Sequence, residues 1–271
     1  MSVGGWRHTP FSRTPSVCRY HEGVRSIAVC LLATTLLLAS GSHAQVAPPR
    51  RVLRVLFIGN SYTHFHQLRH VVRRVIESAD PGVIVHTQEV THAGWDLWRH
   101  WRAGIARRRL GSAHFTHVVL QGHSLAPLRP RDSARMSEAA RQFSELITRS
   151  GAQPVLYETW ARRTGNPVYR QGRAASPDDM QARIDRAYES IAEGTGAHIA
   201  PVGDTFRRLA TILPEGDLYS SDGSHPSELG TFIAAATLAT RIAGLDPRAI
   251  SYRPFEISPA QFETVRQHIP R

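Results

Sequence analysis

The chain has 271 residues, 41% of them apolar, which suits one domain with a sizeable core and leaves little room for a second. Its basic residues are all arginine and give a formal charge of +11, but they are scattered over several helical segments, so no nucleic-acid partner is expected. Both cysteines, Cys18 and Cys30, precede residue 45, which denies the rest of the chain a disulfide, a thiolate zinc site or a cysteine nucleophile.

Residues Ile27 to Ala39 form an uninterrupted apolar run, with Arg25 before it and Ser42-His43-Ala44 after it. The run is shorter than a membrane span of ~20 residues, and its small-x-small ending fits cleavage after Ala44, so residues 1–44 read as a signal peptide. The alternative is an uncleaved membrane anchor. The long, turn-rich stretch before Arg25 suggests a start further downstream, at Val24 read as a start codon. Cleavage leaves an exported chain, periplasmic or extracellular, with no stable membrane insertion. Its charge falls from +11 to +8, because Arg7, Arg13, Arg19 and Arg25 leave together with Glu22. A linker at 45–51 then precedes one domain at 52–271.

Val52 to Ile58 is a short, branched, apolar run of strand length. Phe65, Leu68, Val71, Val72, Val75 and Ile76 follow at helical spacing until Asp80-Pro81-Gly82 stops the pattern. The alternation repeats with Val83 to Glu89 as strand, Trp95 to Arg108 as helix and His117 to Gln121 as strand. A helix carrying Met136, Ala140, Phe143 and Ile147 leads to a strand at Pro154 to Thr159, and one opening at Ser176-Pro177 leads to a strand at His198 to Val202. Helices at 227–243 and 258–268 close the chain. Such alternation predicts an α/β fold, a three-layer α/β/α sandwich with a five-stranded parallel sheet. Ligands of such sheets bind beyond the carboxyl ends of the strands, which singles out Asn60-Ser61, Thr91 to Gly94, Gln121 to Ser124, Thr159-Trp160 and the segment before the helix at 227.

Ser61, in Gly59-Asn60-Ser61-Tyr62-Thr63, stands at the first strand-to-helix turn. Serine there is equally a helix cap, and as a nucleophile it needs a base and a group to orient that base. Ser221-Asp222-Gly223-Ser224-His225-Pro226-Ser227 supplies an aspartate and a histidine in one loop, although Asp-Gly clusters are also ordinary turns. In combination these blocks resemble the SGNH, or GDSL, hydrolase family, which has a serine after the first strand, a glycine, an asparagine and a late Asp-x-x-His. The resemblance runs from Ile58 to Gly230. It implies a flavodoxin-like fold, Ser61 as nucleophile, His225 as base, Asp222 as its orienter, and Gly94 in Thr91-His92-Ala93-Gly94-Trp95 as an oxyanion-hole N–H beside that of Ser61.

Two positions depart from the family pattern. Asn60 replaces the aspartate of the GDS signature, and the Gly-x-Asn-Asp block appears as Leu120-Gln121-Gly122-His123-Ser124, without the asparagine that donates the third oxyanion bond. Gln121 has the same amide on a longer arm and is the favoured donor, with His123 as the alternative. His64, His66 and His70 invite a zinc reading, but no metal site is expected, since histidines of this kind are more often structural or on the surface. Trp98 and Trp101 fit core packing, and Trp95 a pocket wall beside Gly94.

The expected function is hydrolysis of small acyl esters, acetyl included, on a small molecule or an exported glycan, through an acyl-enzyme and without a cofactor. The alternative is a non-catalytic exported binding protein that kept the scaffold after its oxyanion block drifted.

Overall fold

The computed structural model describes residues 50–271. The expected signal peptide, and the linker up to Pro49, lie outside the described residues. Five parallel strands, β1 (Arg51–Gly59), β2 (Val83–Thr91), β3 (His117–Leu120), β4 (Gln153–Tyr157) and β5 (His198–Ala200), form one sheet in the order β2-β1-β3-β4-β5. The order reverses at β1, which puts a topological switch point beside the carboxyl end of the strand that carries Ser61.

β1 is central and its side chains alternate between two cores. Leu53, Val55 and Phe57 face a layer made by α2 (Leu68–Ala79), α8 (Val202–Leu209), α10 (Glu228–Ala243) and α11 (Pro259–His268). Leu56 and Ile58 face the layer of α3 (Leu97–Ala103), α4 (Ile105–Ser112), α5 (Pro130–Arg149) and α7 (Pro177–Thr195). Burial on both faces explains why the strands read as continuous apolar runs. Each fully buried Phe or Leu there contributes roughly 1.5–3 kcal/mol. α10 is buried almost all round, and its run Ala234-Ala235-Ala236 lets it pack closely on α2 and α8.

The helices differ from the periodicity in three places. The pattern expected from Phe65 onward is broken into α1 (Ser61–His64) and α2, because His66 and Gln67 take left-handed backbone angles, φ 45° and 54°. The segment from Trp95 starts only at Leu97, where Asp96 caps the helix by accepting from the Arg99 N–H at 2.7 Å, and it divides at Gly104, φ 71°. β5 ends at Ala200, since Pro201 has no N–H for the ladder, and Val202 opens α8, which the sequence pattern did not mark. Short helices α6 (Pro167–Arg170) and α9 (Glu215–Leu218) lie in the loops on either side.

Candidate active site

β1 leaves the sheet at Gly59, where a Cβ would lie 2.3 Å from Thr63 Oγ1 and 2.5 Å from Gln121 Oε1; only glycine fits. Asn60 then caps α1, accepting from the Tyr62 N–H at 3.1 Å. Its amide nitrogen donates to the Trp95 carbonyl at 3.0 Å and so ties the Ser61 turn to the Gly94 loop. The Gly59 carbonyl receives the His92 N–H at 3.2 Å and the Nε2–H of buried His100 at 2.8 Å. Burial pushes the His100 pKa down to about 4, which keeps this ring a neutral donor.

Ser61 Oγ lies 2.8 Å from His225 Nε2, and His225 Nδ1 lies 2.5 Å from Asp222 Oδ2. Asp222 Oδ1 accepts the backbone N–H groups of Ser224 and His225, each at 2.9 Å. Partial burial pushes this carboxyl upward, but the bonds from the His225 ring and the two N–H groups outweigh it and hold its pKa below the usual range. Residues 161 positions and more apart in the chain thus form one relay, with the serine hydroxyl at one end and the carboxylate at the other.

The His225 ring is held on two sides. Phe65 stacks on it with centroids 4.3 Å apart, and Tyr62 meets its edge at 5.4 Å. Tyr62 in turn stacks on Trp160 and Trp160 on Phe206. The Asp222 loop is pinned at Ser224, whose carbonyl accepts from Trp160 Nε1 at 3.0 Å and whose hydroxyl meets Tyr62 Oη at 3.0 Å and accepts from the Arg162 guanidinium.

Ser61 N–H and Gly94 N–H have no acceptor among the described residues. Gly94 takes φ 67°, a left-handed angle that glycine adopts without strain. Gln121, expected as the third donor, is instead buried under the Ser61 turn. Its Oε1 accepts from the Asn60 N–H and from Thr63 Oγ1, each at 2.9 Å, and its amide nitrogen donates to the Gly122 carbonyl. The longer arm is the reason: it folds back from the end of β3 onto β1. His123 lines a cavity of about 320 Å³ together with Gly94. Its Nδ1 accepts the Leu125 N–H at 3.2 Å, and burial lowers its pKa, so the ring is neutral with its proton on Nε2.

No protein-family model and no curated protein matches the sequence. Solved structures do. A candidate SGNH hydrolase from Slackia heliotrinireducens is 27% identical, with a TM-score of 0.61, over 70% of this chain and 99% of that one. The chain is similar to SGNH/GDSL hydrolases. It shares the fold with a DUF4886 family protein from Bacteroides uniformis, 16% identical with a TM-score of 0.63 over 80% and 93% of the two chains. It also shares it with an acetylxylan esterase from Geobacillus stearothermophilus, 15% identical with a TM-score of 0.58 over 75% and 99%. Catalytic mutants of that esterase replace a serine in one structure and an aspartate in another by alanine.

Sequence reasoning missed the supports of the site. Arg162, three residues beyond the Thr159 flagged at the end of β4, is buried, and desolvation lowers its pKa to about 10. Its position just past a strand end was the available signal. His100 gave none, being one of many histidines. Trp98 and Trp101 pack against the core as expected, Trp101 on Phe143, and Trp98 also lines the cavity beside Gly94, where Trp95 does not; Trp95 stacks on His92. His64 bonds Glu89 at 2.9 Å and His66 faces Glu228 at 3.9 Å, while among the described residues no group of three or more potential ligands could hold a metal.

Proposed function

We propose that the protein is an exported serine esterase that hydrolyses small acyl esters, acetyl among them, with Ser61, His225 and Asp222 as its triad. The observation that carries this reading is the continuous relay from Ser61 Oγ through His225 to Asp222, at 2.8 and 2.5 Å. The relay has the form needed to activate a serine hydroxyl. Export rests on the apolar segment at 27–39, and the acetyl group on the fold shared with an acetylxylan esterase.

In the reaction, His225 Nε2 takes the proton of Ser61 Oγ as the oxygen attacks the acyl carbon. Asp222 keeps the ring oriented and stabilises its charged form. The N–H groups of Ser61 and Gly94 receive the developing oxyanion, and His123 Nε2–H supplies the third bond in place of Gln121. The alcohol leaves with the proton from His225. Water then attacks the acyl-enzyme by the same route, releasing the acid and restoring the Ser61 hydroxyl.

A fluorophosphonate probe tests the reading against a non-catalytic binding protein. Folded protein should be labelled at Ser61, and labelling should vanish in His225→Ala. Intact, folded protein that takes up no probe and turns over no short-chain ester would overturn the esterase assignment.

A further inference from the structure

The cavity beside Gly94 and His123 carries more positive charge than its own protein can balance. Four arginines line it, Arg99, Arg129, Arg135 and Arg173, against two acidic residues, Asp96 and Asp132. Both acids are already engaged. Asp96 caps α3 through the Arg99 N–H, and Asp132 faces Arg129 at 4.0 Å. Among the described residues, Arg99, Arg135 and Arg173 have no carboxylate within ion-pair distance.

This differs from arginines further along α5 and on α7. On α5, Arg141 bonds both Glu138 and Glu145, and on α7, Arg183 bonds Asp179 at 3.0 Å. Arg135 lies on α5 only six positions before Arg141, yet it lines the cavity with no counter-ion among the described residues. Arg135 and Arg173 are half-buried residues with no ion-pair partner among the described residues. Guanidinium groups offer paired N–H donors that match the two oxygens of a carboxylate.

We infer that this cavity is a substrate subsite for a carboxylate, so that the preferred esters carry an acidic group, such as a uronic acid ring or a dicarboxylic half-ester, next to the scissile bond. The inference rests on the proposed esterase reading, since Gly94 and His123 connect the cavity to the Ser61 oxyanion position. A volume of about 320 Å³ suits one ring or a short chain and not a long polymer segment. Trp98 supplies an apolar wall on which the ring of an acidic sugar can lie.

Two matched pairs of esters test it, one with the charge on the acyl side and one with it on the alcohol side: mono-4-nitrophenyl succinate against 4-nitrophenyl butyrate, and 3-acetoxybenzoate against phenyl acetate. The charged member of at least one pair should be favoured in kcat/KM by on the order of 10-fold, as expected for charge-assisted bonds. The preference should shrink with added salt. In the double variant Arg135→Gln, Arg173→Gln the charged-to-neutral ratio should fall to near one. Equal rates for both pairs in the wild-type protein, or a ratio that survives the double variant, would overturn the inference while fluorophosphonate labelling of Ser61 left the esterase reading standing. Should labelling and turnover both fail, binding of glucuronate against glucose to Ser61→Ala protein, followed by ligand-observed NMR, decides the subsite alone. Glucuronate binding that the double variant loses supports it, and equal binding of the two sugars overturns it.

Discussion

The side-chain oxygen of Gln121 lies 2.9 Å from the backbone nitrogen of Asn60, so the end of β3 holds the residue immediately before the serine. Gln121→Ala therefore removes the acceptor for two buried donors, the Asn60 N–H and the Thr63 hydroxyl. It should lower unfolding stability by about 1–3 kcal/mol and reduce ester turnover along with it. His123→Ala should reduce kcat by roughly 10²-fold with KM little changed, because its bond forms with the transition state, and should cost less stability than Gln121→Ala, since it gives up one part-buried acceptor, that of the Leu125 N–H. Denaturant unfolding beside aryl-ester kinetics separates the two; the opposite ranking would return the donor role to Gln121.

Ser61→Ala and His225→Ala should each abolish turnover of a short-chain aryl ester and leave thermal unfolding close to wild type, since both side chains are only half-buried. Asp222→Asn should cost roughly 10⁴-fold in kcat, because an amide facing His225 Nδ1 favours the wrong tautomer, and less than the loss of the nucleophile. Equal losses of stability in all three variants would point to a structural role for the cluster.

Asn60→Asp restores the family's usual residue, yet it should impair this enzyme. The Asn60 side chain both accepts from the Tyr62 N–H and donates to the Trp95 carbonyl, and a carboxylate can do only the first. An unbonded carbonyl facing a carboxylate should loosen the Gly94 loop and lower kcat by about 10-fold, of the order of one lost buried hydrogen bond. Unchanged kcat would show that the Asn60 to Trp95 bond does not position the loop.

Glu158, at the end of β4, gives the fold a pH dependence of the less common sign. Burial, reinforced by Asp185 and Asp204 nearby, pushes its pKa well above the carboxylate range. In the unfolded chain it ionises near its ordinary value of about 4.3. Above that pH the unfolded state releases a proton that the folded state still holds, so the stability Glu158 contributes falls as pH rises toward its folded pKa. Glu158→Gln should flatten this fall, and urea unfolding at pH 5, 7 and 8.5 should show the variant gaining on wild type with each step. Parallel curves would place the Glu158 carboxyl in a charged state.

Much was determined by the sequence alone. Strands such as Val52 to Ile58 and helices such as the one capped by Ser176 and Pro177 announce themselves through composition, periodicity and capping, which are local properties. Their alternation sets the parallel, doubly covered sheet, because parallel neighbours need crossovers. Ser61, Asp222 and His225 were legible because they follow strand ends or precede a helix, at short motif spacings. The tertiary structure decided what depends on reach between distant segments. Whether Gln121 faces an oxyanion or folds under Asn60 depends on how far β3 ends from β1, and no spacing along the chain encodes that distance. The same holds for Arg162 behind Ser224, and for Arg99, Arg135 and Arg173, which come from three separate segments and look like ordinary surface arginines until the fold turns them into one cavity without counter-ions.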